Sequence, residues 1–291
     1  MRNKTISITV LAVLLTAQAF AGGGWTKEKG EGYFKLSEWW LVADQHYTDV
    51  GLIDPNVTTG VFNTSVYAEY GFTRRITGVA YVPFFSRTYM NNLRSNTTGE
   101  LLVPGESLNS FGDTDLGFQY GIKKKGKSVI SAQLLFGLPL GNAAGGSMGN
   151  LQTGDGEFNQ YLKLDVGIPF NIGDTKMYTN LYGGVNNRTN GFSDELRFGA
   201  ELGAGLSGGK LWLIAKSNVV ESLRNGASRE EVTSTSVFAN NTEFVSLQAE
   251  AAYYIKPKFG VTASMAGAVS GSIILAAPSY SVGIFWDLKK S

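Results

Sequence analysis

His46 is the only histidine of the chain and stands two residues from Asp44. The known chemistries of outer-membrane hydrolases commonly need a histidine as general base. The run Gly145-Gly146-Ser147-Met148-Gly149 spells the nucleophile-elbow spacing, but that motif works only on a strand-to-helix turn with triad partners. A Gly-rich loop accounts for it better, and His46 reads as a solvated loop residue. Gly203-Ala204-Gly205-Leu206-Ser207-Gly208 matches the dinucleotide fingerprint, yet a strand rather than a helix follows at Leu211. Asp113 with Asp115, or Asp155 with Glu157, are spaced like fragments of a calcium loop. Neither continues into a full pattern, and turn chemistry explains both. The chain therefore reads as a non-enzyme with no metal and no cofactor.

Composition narrows the class. The 25 basic and 24 acidic residues nearly cancel, so no net field draws nucleic acid. The absence of Cys excludes a disulfide framework, and 37 glycines suit turns and strand bends. Arg2 and Lys4 precede an apolar run from Ile6 to Leu15 that ends in Ala19-Phe20-Ala21, the layout of a secretory leader cleaved after Ala21. The run is half the roughly 20 residues of a membrane anchor. Residues 1–21 are thus expected to be removed, 22–32 to form a periplasmic N-terminal segment that could fold into the mouth of the fold, and 33–291 to form the body.

The elements of that body are strands. Leu196, Phe198, Ala200, Leu202, Ala204 and Leu206 share one side of a segment whose other side carries Glu195, Arg197, Gly199, Glu201, Gly203 and Gly205, the period of two that a strand imposes. Tyr280, Val282, Ile284, Trp286 and Leu288 likewise oppose Ser281, Gly283, Phe285 and Asp287. The alternation blurs near Trp39 and Ala80. After the leader there is no helical hydrophobic span, which leaves a soluble fold or a closed barrel, because an open sheet cannot satisfy its backbone in lipid. Connection lengths decide. Tight links at 73–75, 123–127, 171–175, 207–210 and 256–258 take turns with longer polar ones at 44–60, 88–112, 141–156, 187–194, 223–241 and 270–278, as in an up-and-down barrel with periplasmic turns and outer loops.

The spacing predicts an all-β fold, a closed antiparallel transmembrane β-barrel of about twelve strands in the bacterial outer membrane. They fall near 33–42, 62–72, 76–86, 113–122, 128–138, 157–168, 176–186, 194–206, 210–221, 243–255, 259–269 and 279–288. Phe34, Phe72, Tyr120, Phe170, Tyr253, Phe259 and Trp286 fall near the periplasmic ends, where an interfacial girdle belongs. Parity points Glu69, Gln119, Gln133, Lys163, Asp165, Arg197, Glu201, Lys216, Asn218, Gln248 and Glu250 into the lumen. Both signs are present, so internal pairing is expected, with Arg197 or Lys163 meeting Glu201, Asp165 or Glu69 across the lumen.

Four stretches carry a resemblance: Ser107 to Gly121 (SLNSFGDTDLGFQYG), Phe136 to Asn159, Asn186 to Ala200 and Ile274 to Phe285. They resemble an outer-membrane barrel family named for transport in the meta-pathway of phenol degradation, loosely akin to the long-chain fatty-acid transporters. The resemblance spans most of the mature chain and implies uptake of a small hydrophobic or aromatic solute, with outer-membrane lipid as the surrounding partner. It brings no defined ligand residues. A scaffold barrel whose outer loops bind a partner is the alternative; a secreted β-sandwich is a more distant one. Oligomeric state is not encoded in these patterns.

Overall fold

The computed structural model describes residues 23–227 and 238–289. The expected leader and part of the 223–241 connection lie outside the described residues. Twelve long strands form the wall: β1 (Gly32–Tyr47), β2 (Ile53–Gly71), β3 (Ile76–Met90), β4 (Thr114–Lys123), β5 (Val129–Leu138), β6 (Asn159–Ile172), β7 (Thr175–Arg188), β8 (Glu195–Leu206), β9 (Leu211–Ser222), β10 (Glu243–Lys256), β11 (Phe259–Ser272) and β12 (Ser279–Leu288). Each pairs antiparallel with its neighbours in sequence. β1 pairs with β2 on one side and with β12 on the other, from Gly32↔Leu288 to Leu41↔Ser279, and the sheet closes on itself. No helix of the described residues is long and apolar enough to cross a membrane; the strands do so.

Side-chain parity sorts the chain into two faces. Leu162, Leu164, Leu181, Leu202, Leu213, Leu247 and Val282 are exposed on the outside. So large an apolar band on a water-facing surface would drive aggregation, whereas lipid is its natural solvent. The inward face is mostly polar: Glu69, Thr77, Gln119, Ser131, Gln133, Asp165, Asn180 and Asp287 are buried. Phe72, Tyr120, Tyr253 and Trp286 are exposed at the end that carries the short turns. There Trp286 packs on Phe259 at 5.2 Å between ring centroids.

Three connections differ from the sequence expectation. The ladder between β1 and β2 runs on through His46↔Asp54 to Tyr47↔Ile53, so most of the expected 44–60 loop is hairpin and His46 is a strand residue. Once the pair leaves the bilayer, no apolar face is demanded, and the pattern that identifies a strand fades although hydrogen bonding continues. Within 88–112, Glu106–Ser110 adds to the upper part of β3, and Leu93–Arg94 pairs with Leu101–Val103. Within 270–278, Ile274 and Leu275 pair with His46 and Tyr47 and are buried.

The two blurred strands have physical causes. Leu41, Ala43, Val61 and Leu275 form a buried apolar cluster flanked by Trp39 and Ala277, so the inward face of upper β1 packs against the turned-in 274–275 segment instead of facing water. β3 shifts register against β2 between Thr64 and Val66, opposite Pro83 and Phe84. Pro83 has no N–H for the ladder, and such residues sit at bulges.

The outward position of Leu164 in mid-β6 yields a test of the lipid face. Leu164→Arg is expected to lower folding stability in bilayers by about 2–4 kcal/mol, the cost of a cation at the midplane of a barrel exterior. Urea titration of liposome-refolded protein measures it, and a loss below 0.5 kcal/mol would place this side chain outside the hydrocarbon.

Candidate functional site

The chain enters the barrel before it builds the wall. Residues 23–31 run inside the periplasmic half and are tied to the inward side chains. The Gly24 N–H donates to Asn180 Oδ1 at 2.9 Å and the Lys27 N–H to Thr77 Oγ1 at 2.9 Å. Gln119 donates through Nε2 to the Gly23 carbonyl and to Ser131 Oγ. Lys27 Nζ lies 3.1 Å from Glu69, both side chains all but inaccessible, and Tyr67 donates to the same Glu69 carboxylate at 2.5 Å. Trp25 meets Tyr178 edge-on at 5.5 Å. Two of the inward residues read from parity, Glu69 and Gln119, thus hold this segment.

Beside the segment lies a cavity of about 350 Å³, at the small end of ligand sites, which run from about 300 to 1,000 Å³. Tyr33, Tyr67, Tyr81, Tyr178, Trp212, Tyr254 and Phe285 make up half of its lining. The rings contact one another: Tyr33 stacks on Phe285 at 5.6 Å, and Tyr254 meets Phe285 edge-on at 4.9 Å. Glycines make room for them. A Cβ on Gly203 would stand 2.0 Å from the Tyr178 ring, and one on Gly205 2.6 Å from Trp212. The dinucleotide-like spacing of Gly203 and Gly205 is therefore a pair of inward strand positions covered by flat rings.

Two lysines and two glutamates join them, with Ser37, Ile214 and Ala252. Lys216 on β9 lies 3.1 Å from Glu250 on β10 and 3.5 Å from Glu201 on β8. Tyr178 donates its hydroxyl to Glu201, and Gln248 reaches Glu250 at 3.5 Å. Lys35 comes from β1, with β12 and β11 between it and β10, and approaches Glu250 to 4.0 Å. It spans β12 above Gly283, where a Cβ would stand 3.1 Å from the Lys35 Cε. The quartet is neutral in sum, and its charges lie inside a low-dielectric wall where pairing is needed.

The remaining inward residues serve the upper lumen. Lys163 pairs with Asp165 at 3.2 Å and lies over the Tyr182 ring. Asp165 also accepts from Asn180 at 3.1 Å. Asn218 accepts the Tyr182 hydroxyl at 2.7 Å. Gln133 is buried opposite Lys163 and Gln119. Arg197 pairs at 2.5 Å with Glu195, two residues before it. The cross-lumen pairing of Arg197 and Lys163 expected from sequence is thus replaced by pairing along the strand. Residues two apart on one face are neighbours, while the opposite wall is a barrel diameter away.

The outer mouth is lined by folded connections. Arg188 binds Asp155, Glu157 and Glu195 at 2.9, 2.8 and 2.7 Å. Asp113 accepts the N–H groups of Gly141 and Asp155. Those carboxylates, read as calcium fragments, are engaged by protein donors. Ser147 of the elbow-like run donates its N–H and hydroxyl to Glu106 at the start of the short strand 106–110. These hydrogen bonds hold the Glu106 carboxyl below its ordinary pKa, which makes it a poorer base. Asn225 and the Arg188 N–H do the same to Asp194, which links two outer connections.

Lys35 and the cavity aromatics were absent from the residues singled out by sequence. Lys35 lies on the strand whose alternation blurs near Trp39, and Phe285 shares a face with Asp287 although its type does not mark it as a lumen residue.

No family model matches the chain, and no curated protein sequence matches it either. The resemblance carried by the four quoted stretches is accordingly supported at the level of the barrel class. Among solved structures, the COG4313 outer membrane channel from Pseudomonas putida F1 is similar at TM-score 0.60 and 12% identity, covering 92% of this chain and 99% of that one. The beta domain of the Bordetella autotransporter Brka is similar at TM-score 0.50 and 14% identity, covering 89% and 100%. The KdgM porin, solved with disordered oligogalacturonate, reaches TM-score 0.48 at 7% identity, covering 88% and 99%. At these identities the likeness is one of fold: a barrel of the outer-membrane kind.

The two classes of lumen ion pair should respond differently to truncation. Lys27→Met removes the cation from the buried Glu69 carboxylate and is expected to cost about 3–5 kcal/mol. Arg197→Ala removes a half-exposed guanidinium whose partner Glu195 keeps Arg188, and is expected to cost at most about 1 kcal/mol. Urea unfolding of both variants measures the difference, and equal losses would contradict it.

Proposed function

We propose that this barrel mediates passive or facilitated uptake of small hydrophobic or aromatic solutes across the bacterial outer membrane. The observation that carries the reading is the cavity lined by seven aromatic side chains, two of which, Tyr178 and Tyr33, meet Trp25 and Lys27 of the lumen segment. An interior built only to brace a barrel has no use for clustered ring faces next to a void; filled packing or a polar network would be more stable. Rings of a solute add edge-to-face and stacked contacts worth about 0.5–1.5 kcal/mol each beyond area burial.

The apolar cluster of Leu41, Ala43, Val61 and Leu275 with Trp39 lies higher in the same lumen. A solute entering from outside would meet apolar surface first and the aromatic cavity second. A cavity of about 350 Å³ suits single small molecules and not oligomers. The phenol-pathway resemblance agrees with this solute class and adds nothing to its precision.

Mass spectrometry of small molecules that copurify with the detergent-extracted barrel, against an unrelated barrel prepared identically, addresses the class. Enrichment of aromatic or apolar compounds is expected. Tyr81→Leu with Tyr254→Leu keeps the bulk and removes two ring faces. The pair is expected to weaken binding of an enriched aromatic by about 5- to 100-fold, from the per-contact energies. Absence of enrichment, together with no aromatic flux into proteoliposomes, would shift the assignment to a scaffold whose outer loops bind a partner.

A further inference from the structure

The ion pairs of the lumen are unequal in what they show to a solute. Lys163 is 17% exposed against 0% for Asp165, and Arg197 36% against 3% for Glu195. Lys35 is 18% and Lys216 24% exposed, against 11% for their shared partner Glu250. In these pairs the carboxylate is the less accessible member, whereas Lys216 and Glu201 are nearly equal at 24% and 20%. Asn180 holds Asp165, Asn186 and Arg188 hold Glu195, and Tyr178 holds Glu201. At Lys163, Arg197 and Lys35 the basic side chain is thus the more accessible partner of its pair. Arg197 and Lys163 lie towards the outer ends of their strands, Lys216 near mid-strand and Lys35 near the periplasmic end. The exposed cations descend towards the cavity.

Lys35 is the member with capacity to spare. Among the described residues the carboxylate that reaches it is Glu250, at 4.0 Å, the limit of an ion pair, and Glu250 already receives Lys216 at 3.1 Å. Its ammonium lies in the aromatic cavity with Tyr33, Tyr67, Tyr81 and Tyr254. Buried cations are stable when a carboxylate engages them closely, and a solute can supply one.

We propose that the cavity is a receiving site for small aromatic monocarboxylates, with the carboxylate on Lys35 and the ring among the tyrosines and Phe285. This rests on the reading of the lumen as an aromatic solute path and adds the charge of the solute. A neutral aromatic leaves the Lys35 ammonium desolvated with its single long contact. An aromatic amine meets that ammonium head-on. A carboxylate completes it, and the rings provide the same stacking for all three.

Binding of benzoate, benzyl alcohol and benzylamine to the full barrel in detergent, followed by quenching of tryptophan fluorescence (Trp212 lines the cavity) and by calorimetry, separates the possibilities. Benzoate is expected to bind at least tenfold tighter than benzyl alcohol, with benzylamine weakest. Lys35→Met should bring benzoate down to the benzyl alcohol level, and Lys35→Arg should keep it within threefold of the unaltered protein. Benzyl alcohol equal to or tighter than benzoate, or benzoate unaffected by Lys35→Met, overturns the carboxylate site and leaves the aromatic path standing. No binding of any of the three overturns both. The ranking of the three ligands on the unaltered protein decides the matter even if Lys35→Met does not fold.

Discussion

Everything in this molecule follows from the need of each peptide N–H and C=O in lipid to find a partner within the protein. Strands meet that need only when no edge remains, and the seam from Gly32↔Leu288 to Leu41↔Ser279 removes the last one. Closure then fixes parity: along each strand one residue faces lipid and the next faces the lumen. The exterior Leu and Val residues and the interior Glu, Gln and Asn residues are two consequences of one geometric requirement. What the barrel can do is confined to its inward positions and its ends.

Within that confinement the inward positions are not a uniform polar lining. Small residues and large rings divide the wall, with Gly203 beneath Tyr178 and Gly205 beneath Trp212, so that rings lie flat on the sheet and leave space in front of them. Gly283 plays the same part for the stem of Lys35. The glycine content of the chain is in this sense partly a property of the lumen, and only partly one of turns. Charges follow a second division. Asp165 and Glu195 are held by asparagine and are less accessible than the Lys163 and Arg197 that pair with them.

Sequence alone displayed the parts governed by lipid. Glu195 to Leu206 shows its two faces because the bilayer enforces apolar residues on one of them, and Phe34, Tyr120 and Trp286 mark the interface for the same reason. The β1–β2 hairpin beyond Ala43 was hidden, since above the membrane a strand has no face to declare. Which charges meet was also hidden: pairing depends on register and on small intervening residues. Arg197 found Glu195 beside it, and Lys35 reached Glu250 over Gly283. The cavity rings were legible in parity yet unread, because an inward aromatic resembles an outward one until both faces of its strand are compared.

The path of residues 23–31 also constrains how the molecule is assembled. Gly24 bonds to Asn180 and Lys27 pairs with Glu69, while the seam that encloses them joins strands at opposite ends of the chain. Pairings of such high sequence separation carry the largest loop-closure entropy and form late. A segment laid against the open sheet before the seam zips has its buried ion pair formed by the growing wall itself. One that arrives later must desolvate Lys27 and Glu69 while passing through a finished opening. The first order of events avoids that barrier, so the buried Lys27–Glu69 pair costs least when it forms before the seam closes.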